Sequence, residues 1–138
     1  KVDIPADYPL VPMDFTLMVQ VVVNVLENAA KYSPVDSLIA ISAEASPTEL
    51  TVSVSDEGPG IPAGDEERIF DKFHRGSATV SRFGVGLGLA ICRGIMGLHQ
   101  GRIWAENLPL RGLAIRFTLP INGSPPKMDS VSQDIAAE

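Results

Sequence analysis

Four short segments of the sequence alternate apolar with polar residues, and this period of two predicts half-buried β-strands. They lie at residues 38–44, 50–55, 103–105 and 113–119. A strand with one apolar face needs a second layer to cover that face, and two longer segments have helical periodicity. We therefore expect an α+β fold: a two-layer α/β sandwich in which a mixed, mainly antiparallel sheet has its helices on one face.

The two helices have recognisable ends. The first is predicted to run from Asp14, a good N-cap, to about Tyr32, because Ser33-Pro34 stops it. The second is predicted over residues 85–99, with Gly101 at its C-cap position. If a strand precedes the first helix, it is reduced to a short piece near residues 10–11.

The connection over residues 56–84 is rich in glycine, proline and charge, with one short helical segment predicted at 66–73. Long connections in small domains are usually functional. From residue 122 onward the chain is polar, with Ser, Pro, Asp and Gln. We expect a domain over residues 1–121 and a flexible tail over 122–138.

Composition narrows the class of protein. The 138 residues are 45% hydrophobic, enough for one compact core without disulfides. The net charge is −6 and no Lys/Arg-rich run occurs, so nucleic acid is not an expected partner. No apolar run approaches the roughly 20 residues of a membrane span, so we expect no membrane contact by this domain. The single cysteine, Cys92, is expected to be a buried, inert thiol in a reducing compartment.

Polar residues on the first helix form the first candidate site. Asn24, Asn28 and Lys31 are four and three residues apart, so they project along one narrow stripe. Tyr32 can offer a ring for a base to stack on, and an amide oxygen suits a hydrated magnesium ion. The alternative interpretation is a solvated helix face. The residues predicted to face the core are Met18, Val22, Val25 and Ala29.

A second candidate site, Asp56-Glu57-Gly58-Pro59-Gly60, follows an alternating strand. The Asp56 carboxylate can accept a hydrogen bond from an exocyclic amine such as that of adenine. Glycines lack a Cβ, so Gly58 and Gly60 let the backbone approach a ring closely. An ordinary turn, which Asp, Gly and Pro favour in any case, is the alternative.

A glycine-rich turn, Gly84-Val85-Gly86-Leu87-Gly88, opens the second helix, where backbone N–H groups and the helix dipole favour phosphate. It is not a dinucleotide fingerprint, because Leu89 stands where a third glycine is required, and it is not a P-loop. Upstream of it, Phe70 and Phe73 could anchor one side of a mobile loop. The alternative is a short amphipathic helix packed on the core.

Taken in this order, the segments resemble the ATP-binding family shared by histidine kinases, gyrase-type ATPases, Hsp90 and MutL. The resemblance covers roughly residues 10–120. Residues 24–32 resemble the N box of histidine kinases, 56–60 the G1 box, 70–73 the F box and 84–88 the G2 box.

The resemblance implies that the cofactors are ATP and Mg²⁺. Asn28 is expected to bind Mg²⁺, and Asn24 and Lys31 are expected to face the phosphates. Residues 74–83 are expected to form a lid, in which Arg75 is a candidate γ-phosphate contact; Asn24, Lys31 and Arg75 are thus the expected catalytic residues. The other residues expected to contact the nucleotide are Tyr32, Asp56, Gly58, Gly60, Ile61, Phe73, Gly84, Val85, Gly86, Leu87 and Gly88.

Position 24 separates a kinase from a hydrolase within this family. Gyrase-type members have a glutamate four residues before the Mg²⁺-binding asparagine, as base for the attacking water, whereas this chain has Asn24. An amide cannot accept a proton at neutral pH, so we expect phosphoryl transfer to an acceptor elsewhere. Neither His74 nor His99 is followed by the acidic residue of a family acceptor. His99 is instead expected near a helix C-terminus, where a partly positive imidazole is favourable.

The resemblance thus implies the catalytic domain of a two-component sensor histidine kinase, with its phosphate-accepting histidine on a separate dimerisation domain. A response regulator would be reached indirectly, and the isolated domain would be monomeric. Residues 69–73 and 84–93 resemble the potassium-responsive sensor kinases, which implies a cytoplasmic domain whose parent lies in the bacterial inner membrane. The alternative is a non-catalytic nucleotide-binding or anti-sigma-type module of the same fold.

Overall fold

A computed structural model describes residues 1–71 and 87–122. Within these ranges, five strands form one sheet of order β1-β2-β3-β5-β4. The elements are β1 Val2–Asp3, α1 Phe15–Tyr32, β2 Ala40–Ala45, β3 Glu49–Ser55, a 3₁₀ turn Arg68–Phe70, α2 Gly88–Leu98, β4 Arg102–Asn107 and β5 Leu113–Pro120.

The sheet is mixed, because β1 pairs with β2 in parallel while the remaining neighbours pair in antiparallel fashion. Both helices pack on the same face, so the predicted two-layer sandwich is confirmed. The four predicted strands are found with ends shifted by one or two residues. The buried side chains that join the layers come mainly from α1, α2 and β5.

Helix α1 begins as the sequence indicates, since the Asp14 side chain accepts a hydrogen bond from Leu17 N at 3.0 Å. Its C-cap is Ser33, directly before Pro34. The core-facing stripe differs from the prediction at one position, because Val21 is fully buried and Val22 is only half-buried. The buried residues of this helix are Met18, Val21, Val25 and Ala29.

The end of α2 corrects the predicted cap. His99 is the C-cap, and the residue with positive φ is Gln100, at 60°, rather than Gly101. Gly101 is needed for a different reason: a Cβ there would overlap the backbone oxygen of Thr118 on β5. The glycine allows the chain to turn tightly from α2 into β4.

His99 lies at the C-terminus of α2, as the sequence predicts. The side chain is buried, and its Nε2 accepts a hydrogen bond from Asp14 N at 3.0 Å. Its Nδ1 lies 2.8 Å from Ile95 O and must donate, since a carbonyl oxygen only accepts. His99 therefore ties the end of α2 to the start of α1.

The first strand is not near residues 10–11, as expected, but at Val2–Asp3. It is joined to β2 by a hydrogen bond from Ile41 N to Lys1 O at 2.8 Å, and the N-terminal amine donates to Ile39 O at 2.9 Å. The short helix predicted at 66–73 corresponds to the 3₁₀ turn. Helix α2 begins at Gly88, three residues later than predicted.

Several predictions concern residues 72–86 and 123–138, which lie outside the described residues. They include the proposed lid over 74–83 and the flexible tail. The single residues concerned are Phe73, His74, Arg75, Gly84, Val85 and Gly86.

Cys92 is buried in the core, with its Sγ 3.7 Å from Val21 O. Burial raises the pKa of the thiol from 9.0 to about 12, against a smaller lowering effect of the Asn24 side chain. Since the folded pKa lies above the unfolded value, this group's contribution to stability is intact below about pH 9 and is lost as the pH rises towards 12.

We expect Cys92 to react far more slowly with a thiol reagent at pH 8 in the folded protein than in urea, because three pKa units leave about a thousandfold less thiolate. Absorbance of the released thiol chromophore measures both rates. Equal rates in folded and unfolded protein would contradict the buried, protonated thiol.

Candidate functional site

The sequence motifs on α1, after β3 and at the start of α2 meet at one end of the sheet. Asn24 Nδ2 donates to Gly88 O at 3.2 Å, which joins α1 to the first turn of α2. The backbone oxygen of Tyr32 lies against Gly58, which joins the end of α1 to the turn after β3. Segments distant in sequence therefore form one site.

Asp56 is the buried carboxylate of this site, with a side chain 6% exposed. Its Oδ1 accepts from Gly58 N at 2.8 Å and from Leu113 N at 3.3 Å. Its backbone N donates to Leu113 O at 3.0 Å. In residues 1–71 and 87–122, no hydrogen bond reaches Oδ2. A buried polar atom needs a partner, so Oδ2 can accept a hydrogen bond from a ligand.

The glycines after Asp56 are required by the turn itself. A Cβ on Gly58 would lie 2.5 Å from the Tyr32 carbonyl oxygen, which real side chains do not permit. Gly60 has φ +75°, a conformation that favours glycine. The approach of a ring to this backbone, which the glycines predict, stays a prediction.

The polar stripe on α1 is only partly solvated. Asn24 is half-buried, and its Oδ1 accepts from Gln20 Nε2 at 2.9 Å while its Nδ2 bonds Gly88. Asn28 is half-buried, and its side-chain amide has no hydrogen bond to any described residue. Lys31 is exposed, with its Nζ 5.8 Å from the centroid of the Tyr32 ring. Asn24 therefore holds the two helices together, while the Asn28 amide remains available to a ligand.

Among the described residues, no side chain caps the start of α2. Its N-cap is Leu87, and the first described backbone bond of the turn is Ile91 N to Leu87 O at 2.9 Å. Gly88 is exposed and carries no side chain over the helix end. Uncapped N–H groups and the positive end of the helix dipole attract anions. This arrangement fits the phosphate contact predicted for Leu87 and Gly88.

Arg93 on α2 contacts Glu67 and Phe70, in the segment that ends at residue 71. Sequence reasoning did not identify this residue. Its Nη2 lies 2.8 Å from Glu67 Oε2, and its guanidinium lies 5.0 Å from the centroid of the buried Phe70 ring. Phe70 is buried in the core, which agrees with the alternative in which this short segment packs on the core. Because Arg93 and Glu67 are both largely exposed, the ion pair itself contributes at most about 1 kcal/mol.

The hairpin between β4 and β5 contributes two residues that sequence reasoning missed. The Asn107 side chain pairs with the backbone of Ile61, donating from Nδ2 to the carbonyl at 2.7 Å and accepting at Oδ1 from the N–H at 2.9 Å. Gly112 has φ +101°, and a Cβ there would overlap the backbone of Asp56. The turn signal Leu108-Pro109-Leu110-Arg111-Gly112 could have identified Gly112. No local signal identifies Asn107, whose partner is 46 residues away.

Within residues 1–71 and 87–122, no group of three or more His, Cys, Asp or Glu side chains is arranged to hold a metal ion. None of the helices in the same ranges has both the length and the apolar character needed to cross a bilayer.

The sequence matches known protein kinases. Residues 13–123 match the family model for histidine kinase-, DNA gyrase B-, and HSP90-like ATPases. Over 135 residues the chain is 41% identical to sensor protein KdpD of Escherichia coli K12, a match that covers 98% of this chain and 15% of KdpD. Over 120 residues it is 42% identical to the adaptive-response sensory kinase SasA of Rippkaea orientalis, which covers 86% of this chain and 31% of SasA.

Solved structures of histidine kinases match the fold, and those of ThkA are examples. A nucleotide-free form of its catalytic domain gives a TM-score of 0.76 at 34% identity, covering 91% of this chain and 79% of that one. A complex of ThkA with response regulator protein TrrA gives 0.70 at 33% identity, covering 88% and 33%. The chain spans less than a third of the KdpD and SasA sequences and matches histidine kinase ATP-binding catalytic domains. The resemblance read from the sequence is confirmed: this chain belongs to the histidine kinase-, DNA gyrase B- and HSP90-like ATPase family.

Proposed function

We propose that residues 1–121 are the catalytic domain of a two-component sensor histidine kinase, which transfers the γ-phosphate of ATP to a histidine on a separate dimerisation domain. The observation that carries the proposal is the state of Asn24. Both atoms of its amide are engaged, with Gln20 and with Gly88. One helical turn before Asn28, the chain therefore has a structural amide and no carboxylate. No general base stands at this position to activate water for attack on the γ-phosphate.

ATP, the substrate, fits the groups that the site leaves open. The Asp56 Oδ2 can accept from the adenine amino group. The Tyr32 side chain, half-buried at the end of α1, can pack against the base. The uncapped start of α2 suits the phosphates. The contacts expected of Ile61 and of the residues at 73–86 stay predictions.

Mg²⁺ fits Asn28. Its amide is half-buried and has no partner among the described residues, and an amide oxygen is a suitable hard ligand. Mg²⁺ usually keeps several waters and takes its other ligands from substrate phosphates, so a cage of protein carboxylates is not required. When bound, the ion would neutralise charge on the β- and γ-phosphates. Asn28 would hold it and so orient the triphosphate.

In the proposed reaction, an imidazole nitrogen of the acceptor histidine attacks the γ-phosphorus. The new N–P bond forms as the bond to the β,γ-bridging oxygen breaks, and ADP leaves. The domain contributes position and charge neutralisation, since phosphoryl transfer needs little covalent chemistry from the enzyme. Asn24 keeps α2 against α1, and Lys31 is expected to face the phosphates. Arg75, the other expected catalytic residue, lies outside the described residues.

Transfer can be tested with radiolabelled γ-phosphate. We expect the isolated domain to bind ATP, to acquire no stable label and to release little phosphate, because it lacks both an acceptor and a base. Adding the parent's histidine-bearing hairpin should label the hairpin weakly, since separate pieces lose the effective concentration of a tethered pair. A hairpin whose histidine is replaced by alanine is the control.

Three outcomes would contradict the proposal. Rapid phosphate release by the domain alone would indicate a gyrase-type hydrolase. Alkali-stable, acid-labile label on this domain alone would make His74 or His99 an acceptor. ATP binding without any transfer to the hairpin would favour the alternative, a non-catalytic nucleotide-binding or anti-sigma-type module.

We further propose that the parent kinase is KdpD-like and responds to potassium or osmotic conditions. The match to KdpD extends over 98% of the chain, against 86% for SasA, although the identities are similar. The domain, monomeric in isolation, would then be the cytoplasmic part of an inner-membrane protein. That protein would reach its response regulator through the dimerisation domain. The labelling assay on the full-length parent, at low and high potassium, tests this: equal labelling would contradict it.

A further inference from the structure

Asn107, the last residue of β4, is bonded to the backbone of a single residue, Ile61, in the turn after β3. Its Oδ1 accepts from Ile61 N at 2.9 Å, and its Nδ2 donates to Ile61 O at 2.7 Å. Both bonds lie within normal hydrogen-bond distances. The side chain thus bonds to Ile61 as the backbone of a neighbouring strand would. It satisfies both the backbone N–H and the backbone C=O of this residue.

The same amide lies against Gly60. A Cβ on Gly60 would be 2.5 Å from Asn107 Oδ1, so the side chain closes over the backbone there. On the other side of the turn, Gly58 lies against the carbonyl of Tyr32. The turn that follows Asp56 is therefore held between the end of α1 and the end of β4.

We propose that Asn107 is a positioning residue for adenine recognition, acting through Ile61 and Gly60 on the turn that borders the Asp56 carboxylate. The inference rests on the proposed ATP-binding function. A side-chain amide provides a donor and an acceptor in the fork that the backbone N–H and C=O of Ile61 require. Asn107 itself is exposed and contributes no core packing, so its effect is expected on the turn and not on the whole fold.

The test compares Asn107→Ala and Asn107→Asp with wild type by calorimetry against ATP, GTP and inorganic tripolyphosphate. We expect ATP affinity to fall about tenfold in Asn107→Ala, since two exposed hydrogen bonds are each worth a modest net amount. The preference for ATP over GTP should fall as well, while tripolyphosphate binding stays unchanged. A general loss of folding would weaken all three ligands.

Asn107→Asp has the same shape but cannot donate to Ile61 O when ionised, so it should lose adenine preference like alanine. This isosteric variant carries the test if Asn107→Ala does not fold. The matched control is Asn122→Ala, which removes an exposed amide beyond the opposite end of β5, with no hydrogen bond among the described residues. It should bind all ligands as wild type does.

Amide exchange at Ile61, followed by NMR, gives a direct readout of the contact. We expect faster exchange in Asn107→Ala than in wild type. Faster exchange with an unchanged ATP preference would overturn the positioning role alone. Unchanged exchange would overturn the contact itself. If wild type binds ATP no better than tripolyphosphate, adenine recognition fails, and the proposed function fails with it.

Discussion

Gly112→Ala should abolish ATP binding and lower the free energy of unfolding by about 3 kcal/mol or more. At φ +101° an alanine is strained whatever the space around it. Its Cβ would also overlap the backbone oxygen of Asp56, and backbone cannot move aside as a flexible side chain can. Relief requires breaking the bonds between Asp56 and Leu113, which are 3.0 and 3.3 Å long. The turn that carries the proposed adenine ligand would then lose its support.

Urea unfolding followed by circular dichroism measures the stability, and calorimetry measures the binding. Gly97→Ala is the matched control, because Gly97 lies in α2 and a Cβ added there would have nothing within 4 Å. It should be neutral or stabilising by up to about 1 kcal/mol. If Gly112→Ala kept the stability and the ATP affinity of the wild type, the contact with Asp56 would not support the site.

Asn28→Ala should remove the dependence of ATP binding on Mg²⁺. We expect wild-type affinity to fall about tenfold or more when chelator replaces Mg²⁺, which corresponds to about 1.4 kcal/mol. The variant should bind ATP equally weakly in both conditions, because its amide oxygen ligand is missing. The Asn28 side chain makes no hydrogen bond to a described residue, so the free energy of unfolding should change by less than about 0.5 kcal/mol.

Calorimetric titrations with Mg²⁺ and with excess chelator give the four affinities. Asn28→Asp retains an oxygen ligand and should restore part of the Mg²⁺ effect, whereas Asn122→Ala should leave the full effect. A wild-type protein that binds ATP equally well in chelator would show that Asn28 is not a metal ligand. The same conclusion would follow if Asn28→Ala kept its Mg²⁺ dependence.

Elements whose signals are local could be predicted. The N-cap at Asp14, the stop at Pro34 and the alternation along β5 are properties of neighbouring residues, and the structure places α1 and β5 where these patterns indicate. For segments of this kind, the period of the side chains and the conformational freedom of the backbone are sufficient to predict the structure.

Contacts between distant segments could not be predicted in the same way. The close approach of Gly101 involves Thr118 on β5, and the His99 ring bonds to Asp14, 85 residues away. The pairing of Asn107 with Ile61 spans 46 residues. A hydrogen bond needs its donor and acceptor atoms placed within a few tenths of an ångström. That placement exists only after the helices and strands have packed. Residue type alone therefore does not specify the partner.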